Sequence, residues 1–455
     1  MTAAPPIPAL RRSRFAVRSE LDGDGVLWTS TRTGAHLLLD REHDGLLAGD
    51  AALDPDQLPS GMAEVLLASG MAVPASLDED ADARADHHRA RQDRDTLLLT
   101  VSPTVACNLA CGYCFESEHP VRYLSDEDEA NLLRLVQQRL AAGVRHVDVT
   151  WFGGEPLLAR RSIERLSGRL IRACSFAGAT YAATAVTNGT LLDDDVAEML
   201  ARSRVERVQI TVDGPPDVHD QLRPTAAGGG SFDKTLAGVE AAARHLQVDL
   251  RVNVDRRNAR LVPRLLDLLV ERRLTSVNLG FVRTEPPAVY GPEEAGAIDR
   301  IFLTVADFAR LEVEWLVAAA DRGFPVGVTV DPGDDPTPCA AVKENHLAIE
   351  PGGRVARCWA DVADDAGVVG TLGPLGVTTT AADDRWRRYE PFDSGCETCP
   401  FLPVCWGGCP KARLDGAMAG AGPEERRAFK ERYVCSPRKF NLSELARRGL
   451  LASST

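Results

Sequence analysis

The sequence predicts an α/β fold: a parallel sheet curled into a partial barrel of six β/α units, set between a small N-terminal strand-plus-helix domain and a Cys-rich C-terminal domain. Three observations predict it. From Thr96 onward, short apolar strands alternate with amphipathic helical stretches. Before that, residues 14–40 alternate apolar and polar side chains around two turn signals, Gly23-Asp24-Gly25 and Thr33-Gly34. After it, residues 330–440 are poor in regular pattern and rich in Cys, Gly and Pro, a composition that packs no large apolar core and leans on bound metal.

The bulk properties bound the reading. At 455 residues the chain exceeds one ordinary core, so two or three domains are expected. Hydrophobic residues make up 44% of it, enough to bury sizeable cores. A formal net charge of −14 argues against a broad nucleic-acid or anionic-membrane surface. The N-terminus, MTAAPPIPALRRSRFAVRSE, has no signal-peptide core, and no apolar run is long enough to span a bilayer. A cytoplasmic location is therefore expected, where 11 cysteines would not form a disulfide framework. Ten of the 11 fall in two tight groups with ligand-like spacing, which points to metal.

In order along the chain, residues 13–78 read as the small first domain, with short helices near 41–48 and 60–69. Residues 79–95, almost all charged or small, read as a linker or solvated helix, with His87 and His88 in solvent. Residues 96–325 carry the barrel, with strands at 97–102, 147–152, 181–187, 208–212, 250–254 and 277–281. The first helix begins at Ser125, where Asp128 three residues on completes a form of capping box. Further helices lie at 161–177, 194–203, 232–245, 261–273 and 293–322. Cys174 sits on an apolar helix face and reads as a buried, inert thiol. Residues 326–440 form the last domain. In parallel sheets of this kind the chemistry sits on loops at the C-terminal strand ends.

Cys107-Asn-Leu-Ala-Cys111-Gly-Tyr-Cys114 occupies the first such loop. Three thiolates can cap three irons of a cubane and leave the fourth iron open, whereas electron-transfer clusters use four cysteines. A zinc or structural iron–sulfur loop is the alternative. The spacing, with Tyr113 before the third Cys and a TIM-like partial barrel around it, resembles the radical S-adenosylmethionine (SAM) superfamily. The resemblance implies that the open iron chelates SAM and that reductive cleavage yields a 5′-deoxyadenosyl radical. It further implies that Gly153-Gly154-Glu155-Pro156 holds the methionyl ammonium, that Thr187 and Asn188 lie near the ribose, and that Thr211 and Arg223 contact the carboxylate. His219 and Asn253 lie on the neighbouring loops, and His219 could simply cap or pack.

The second group resembles the C-terminal extension called SPASM, which carries two auxiliary [4Fe–4S] clusters. That resemblance implies an outer cluster on Cys396, Cys399, Cys405 and Cys435, and an inner one on Cys339, Cys358 and Cys409. Three [4Fe–4S] clusters are then expected in all. Some relatives supply a fourth inner cysteine; this chain has Asn345 and His346 in that region, so the inner cluster has an open iron or a non-cysteine ligand. A pair of zinc sites is the alternative.

The first domain resembles the winged-helix-like recognition domain fused to maturases of ribosomally made peptides, in which a leader peptide adds as a strand to a sheet edge. The function expected is a radical SAM peptide maturase that forms a thioether or carbon–carbon crosslink. A precursor peptide and a flavodoxin- or ferredoxin-type reductant would be its partners, with no nucleic acid and no membrane. The alternatives are an anaerobic sulfatase-maturating enzyme and a non-catalytic iron–sulfur electron carrier. The sequence names no general base.

Overall fold

The computed structural model describes residues 7–49, 52–116, 120–285, 301–330, 339–392, 395–414, 418 and 421–452. The N-terminal part of the chain pairs β1 (Leu10–Arg12) with β5 (Ala72–Pro74). It also forms a three-stranded antiparallel sheet from β2 (Ala16–Glu20), β3 (Val26–Ser30) and β4 (His36–Leu39). Helices α1 (Arg41–Ala48) and α2 (Met62–Ala68) fall where the sequence puts them. Trp28, Leu47, Leu66 and Met71 close a separate small core.

The charged stretch expected in solvent is α3 (Glu79–Arg91), and one face of it is buried. Glu79, Ala83, His87 and Arg91 are four apart and share that face. His87 is 0% exposed, between the rings of Phe392 at 5.5 Å and Trp406 at 5.3 Å, which corrects its expected exposure. Arg91 donates to the carbonyls of Val342, Tyr389, Trp386 and Arg387. Low mean hydropathy hides such a face, because two of its four members are charged and paired. His88 does stay exposed.

Six parallel strands follow in spatial order: β6 (Thr96–Val101), β7 (His146–Trp151), β8 (Thr180–Thr187), β9 (Val205–Thr211), β10 (Gln247–Val254) and β11 (Asn278–Arg283). Their alternation is visible in β10, where Val248, Leu250, Val252 and Val254 are buried and the residues between are not. The apolar set packs outward with α4 (Asp126–Ala141), α5 (Arg160–Ala177), α6 (Asp194–Arg202), α8 (Phe232–Ala242) and α9 (Val262–Glu271). The polar set, including Gln209, Thr211, Arg251 and Asn253, faces a cavity inside the half-barrel. The capping box at Ser125 and Asp128 is present in both directions. Cys174 is buried in the core, and burial pushes its thiol up to about 11. His219, expected on a loop, lies on helix α7 (Pro216–Leu222), whose seven residues are too few to show a period. Of the expected helix at 293–322, the part before 301 lies outside the described residues, and α10 (Val305–Ala320) forms the rest.

The Cys-rich end is not free of regular structure. Strand β12 (His346–Glu350) is buried along its whole length and pairs in parallel with β6. Strands β13 (Arg354–Ala356), β14 (Val368–Gly373) and β15 (Gly376–Thr379) continue antiparallel from it, so the sheet has ten strands. A five-residue strand is short enough to escape pattern reading, and it covers what would be the open β6 edge. Helices α11 (Pro423–Tyr433) and α12 (Arg438–Arg447) close the chain against α10 and β2. Among the described residues no helix is long and apolar enough to cross a membrane.

Candidate active site

The loop after β6 carries Cys107, Cys111 and Cys114 and is held by backbone on two sides. Ala110 N–H donates to Pro224 O at 2.8 Å, and Ala226 N–H donates to Asn108 O at 2.9 Å. Cys114 N–H donates to Cys111 O at 3.1 Å, closing the turn between the last two thiols. From β7, Gly153 and Gly154 press against the same loop. A Cβ on Gly153 would stand 2.2 Å from Thr104 O, and one on Gly154 would stand 2.4 Å from Ala106 O. Gly153 also holds φ at +117°, so glycine is required there twice over.

Glu155 is buried and does not border the cavity; neither does Pro156. Its carboxylate accepts from Leu157 N–H at 3.0 Å, Thr187 Oγ1 at 2.7 Å and Asn188 N–H at 2.7 Å. It thereby ties the end of β8 to the end of β7. Asn188 continues the tie, donating through Nδ2 to Asn108 Oδ1 of the cysteine loop at 2.8 Å. Burial pushes the Glu155 carboxyl up, against the pull of these donors.

On the far side, Tyr113 donates its hydroxyl to Asp213 and accepts from Arg223. Asp213 is buried and also accepts from Asn253 N–H at 2.8 Å. Behind them His219 Nδ1 accepts from Asp213 N–H at 3.2 Å, which leaves the proton on Nε2, facing Ser231 Oγ at 3.1 Å. Ser231 Oγ donates in turn to Arg223 O. Burial, then Arg223, push His219 down to about 3, so it stays neutral and fixes the loop. Asp213 is the hub of this network, and sequence reading singled out its neighbours Thr211 and Arg223 instead. Arg223 Nε has no hydrogen-bond partner among the described residues, although it is buried.

The loops border a cavity of about 1130 Å³. Cys107, Cys111 and Cys114 border it, and so do Cys339, Cys358, Cys405, Cys409 and Cys435 from the other end of the chain. Tyr113, Gly153, Gly154, Thr187, Asn188, Thr211 and Arg223 line it as well. Burial pushes Cys107 up to about 12, with Glu155, Cys111 and Cys114 adding to the push. Burial and then Asp361, Cys339 and Cys409 push Cys358 well up. Burial pushes Cys405 up to about 12, with Cys396, Cys435 and Cys399 adding to it. Buried thiols of this kind are donors that bound metal would ionise and neutralise. Among the described residues, no three His, Cys, Asp or Glu side chains converge on the position of a single ion.

Asn345 and His346 stand away from this cavity. Asn345 Nδ2 donates to Thr96 O at 3.1 Å, and His346 Nε2 meets Thr100 Oγ1 at 3.2 Å, inside the β6–β12 pair. Neither supplies the inner group with a fourth ligand. Their nearness in sequence to Cys339 misleads because β12 turns them toward the barrel.

Residues 101–269 match the model of the radical SAM superfamily. Over 346 residues the chain is 28% identical to the serine-type anaerobic sulfatase-maturating enzyme of Klebsiella aerogenes, covering 70% of this chain and 80% of that one. Over 330 residues it is 28% identical to the GTP 3',8-cyclase of Parasynechococcus marenigrum, covering 66% of this chain and 90% of that one. The fold is shared with the solved structure of anSMEcpe with bound AdoMet and Cp18Cys peptide. The TM-score is 0.59 at 21% identity, over 78% of this chain and 98% of that one.

Proposed function

We propose that this chain, an enzyme built around a radical SAM domain, is a peptide maturase that crosslinks a ribosomally made precursor, through carbon–sulfur or carbon–carbon bonds. One observation carries the reading: the thiols of the first loop and those of the C-terminal groups, Cys339, Cys358, Cys405, Cys409 and Cys435, open on the same cavity, so a peptide segment lodged there lies between the two ends. In this reading Cys107, Cys111 and Cys114 hold the cluster that binds SAM. Cys339, Cys358 and Cys409 hold the inner auxiliary cluster, and Cys396, Cys399, Cys405 and Cys435 the outer one. When bound, the first cluster and SAM supply a carbon-centred radical able to take hydrogen from an unreactive C–H bond.

The chain's own residues bind and orient. The backbone of Gly153 and Gly154 borders the space for the methionyl ammonium. Arg223, with its unpartnered Nε, faces the carboxylate, and the Tyr113–Asp213–Asn253 network holds it there before the ligand arrives. Thr187, Asn188 and Thr211 complete the wall. The leader would add to β4, the outer strand of the first domain's sheet, where Leu38 is 62% exposed. A flavodoxin- or ferredoxin-type reductant in the cytoplasm would supply the electron.

A second reading, formylglycine formation in a sulfatase, is favoured by the 80% coverage of the Klebsiella aerogenes enzyme. The test is anaerobic incubation of reconstituted protein with SAM, dithionite and the candidate peptide. Crosslinking gives 5′-deoxyadenosine and a peptide lighter by two hydrogens that does not react with hydrazide. Formylglycine from serine also loses two hydrogens but leaves a hydrazide-reactive aldehyde. Absence of deoxyadenosine overturns both. Removing residues 1–78 is expected to abolish leader binding and spare SAM cleavage; unchanged affinity in a calorimetric titration would refute the role given to that domain.

A further inference from the structure

The polar side chains on the inner face of β9, β10 and β11 lie in layers, and the deeper layer is paired within itself. Arg207 reaches Gln247 Oε1 at 3.3 Å and Asp249 at 3.4 Å, and Asp249 accepts from Asn278 Nδ2 at 2.9 Å. Arg251 lies nearer the cavity mouth, half-buried and lining the cavity. It donates from Nε to Asn253 Oδ1 at 2.7 Å, and its two terminal nitrogens have no partner among the described residues. The carboxylate on which its charge acts, Asp213, is already taken by Tyr113 and by Asn253 N–H. Other arginines of the cavity are committed: Arg257 clasps the buried Asp255, and Arg438 pairs with Glu312 at 2.6 Å. In register, Arg251 stands between Thr211 of β9 and Gly280 of β11. A Cβ on Gly280 would meet nothing within 4 Å, so that flank is open. Gln209, diagonal to Arg251 on β9, also lines the cavity, and its side-chain amide has no partner among the described residues.

A guanidinium carries five N–H donors in a planar fork, and Arg251 spends only the one at Nε. That bond also fixes the plane of the fork, because Asn253 is itself held. Its N–H donates to Asp213 at 2.8 Å, and its carbonyl accepts from Asn258 Nδ2 at 2.7 Å. A charged fork held in place beside open space matches the two oxygens of a carboxylate, and its preorganisation lowers the cost of binding one. The methionyl carboxylate of SAM lies elsewhere in the reading above, at Arg223. That residue follows α7 beyond the end of β9, whereas Arg251 lies within β10, deeper in the half-barrel. We propose that Arg251, assisted by Gln209, is a specificity-determining residue that takes a carboxylate of the substrate peptide, from an acidic side chain or from the C-terminus. This deepens the function proposed above and rests on its premise that the substrate is a peptide. Arg251 holds the substrate in this scheme and takes no part in bond making.

The experiment measures binding by saturation-transfer nuclear magnetic resonance, on the full chain reconstituted with iron and sulfide and saturated with SAM. The probes are N-acetyl-glutamate α-amide, which offers a side-chain carboxylate, and N-acetyl-alanine, which offers a terminal one. Their neutral counterparts are N-acetyl-glutamine amide and N-acetyl-alanine amide. At least one acid is expected to bind about tenfold more tightly than its amide, and which acid does so identifies the source of the carboxylate. Arg251→Gln should abolish the preference. Arg251→Lys, which keeps the charge without the fork, should recover part of it. Gly280→Asp sets a carboxylate in the open space beside the fork and should compete with the probe; it carries the test if Arg251→Gln fails to fold. SAM affinity, titrated separately, is expected to hold in Arg251→Gln. The proposal is overturned by equal binding of acid and amide in the parent, by a preference that survives Arg251→Gln or Gly280→Asp, or by a loss of SAM affinity as large as that of the probe. Binding needs no turnover, so failure to obtain a modified peptide would overturn the maturase reading alone, which separates the two failures.

Discussion

The barrel mouth and the outer cysteine group hold their thiols by opposite means. Around Cys107, Cys111 and Cys114, backbone hydrogen bonds, two close-packed glycines and the buried Glu155 fix the loop on strands that belong to a large apolar core. Around Cys396, Cys399, Cys405 and Cys435 the apolar support is slight. One cluster, Val330, Phe401 and Leu442, packs against Cys399; another, against Cys396, borrows Phe15 and Ala83 from the N-terminal part of the chain. The difference teaches that the first site is shaped by the fold around it, whereas the second, in the proposed reading, would gain much of its order from ligation.

The largest effect that could break this comparison is a double Cys396→Ala, Cys399→Ala substitution. Hydrogen exchange is expected to rise throughout 395–447 while β6–β11 keep their protection. Equal loss in the barrel would show that the two regions fold as one. Next in size is Gly154→Ala, which sets a methyl 2.4 Å from Ala106 O and must push the cysteine loop aside. A displacement of that order is expected to lower SAM cleavage about 100-fold, with thermal unfolding changed little. Cleavage at the parent rate would show that the loop is not preset by the glycines.

The smallest effect is a pH dependence that sharpens the boundary between the regions. His346 lies in the strand that joins them, and burial, then Arg357 and Lys343, push it down to about 3. The folded protein therefore keeps it neutral while the unfolded chain protonates it near about 6.5. The unfolded state binds more protons below that pH, so stability is full above it and falls as the medium is acidified. The expected cost is up to about 1.4 kcal/mol per pH unit below about 6.5, read from urea midpoints. His346→Gln should flatten that slope; an unchanged slope would show that other groups cause it.

What could be read in advance follows the length and regularity of each element. The six parallel strands and their helices were legible because apolar residues recur at the right period over long stretches, as in Gln247–Val254. The cysteine groups stand out because Cys-x2-Cys and Cys-x3-Cys spacings hold side chains together whatever surrounds them. His87 and the Arg91 brace were not, since a charged residue looks solvated until its partners, here carbonyls almost 300 positions away, are known. The Glu155 tie escaped for the same reason: its three donors come from two different strand ends.

The amino-acid order by itself determined the half-barrel, the cysteine groups and the kind of chemistry they serve, because periodicity and short-range spacing are local properties of a chain. Tertiary structure alone decided that β12 closes the barrel edge, that His346 faces the barrel and not the inner thiols, and that the first and inner groups share one cavity. Those outcomes depend on contacts between residues hundreds of positions apart, which only the packing of the whole chain brings within bonding distance.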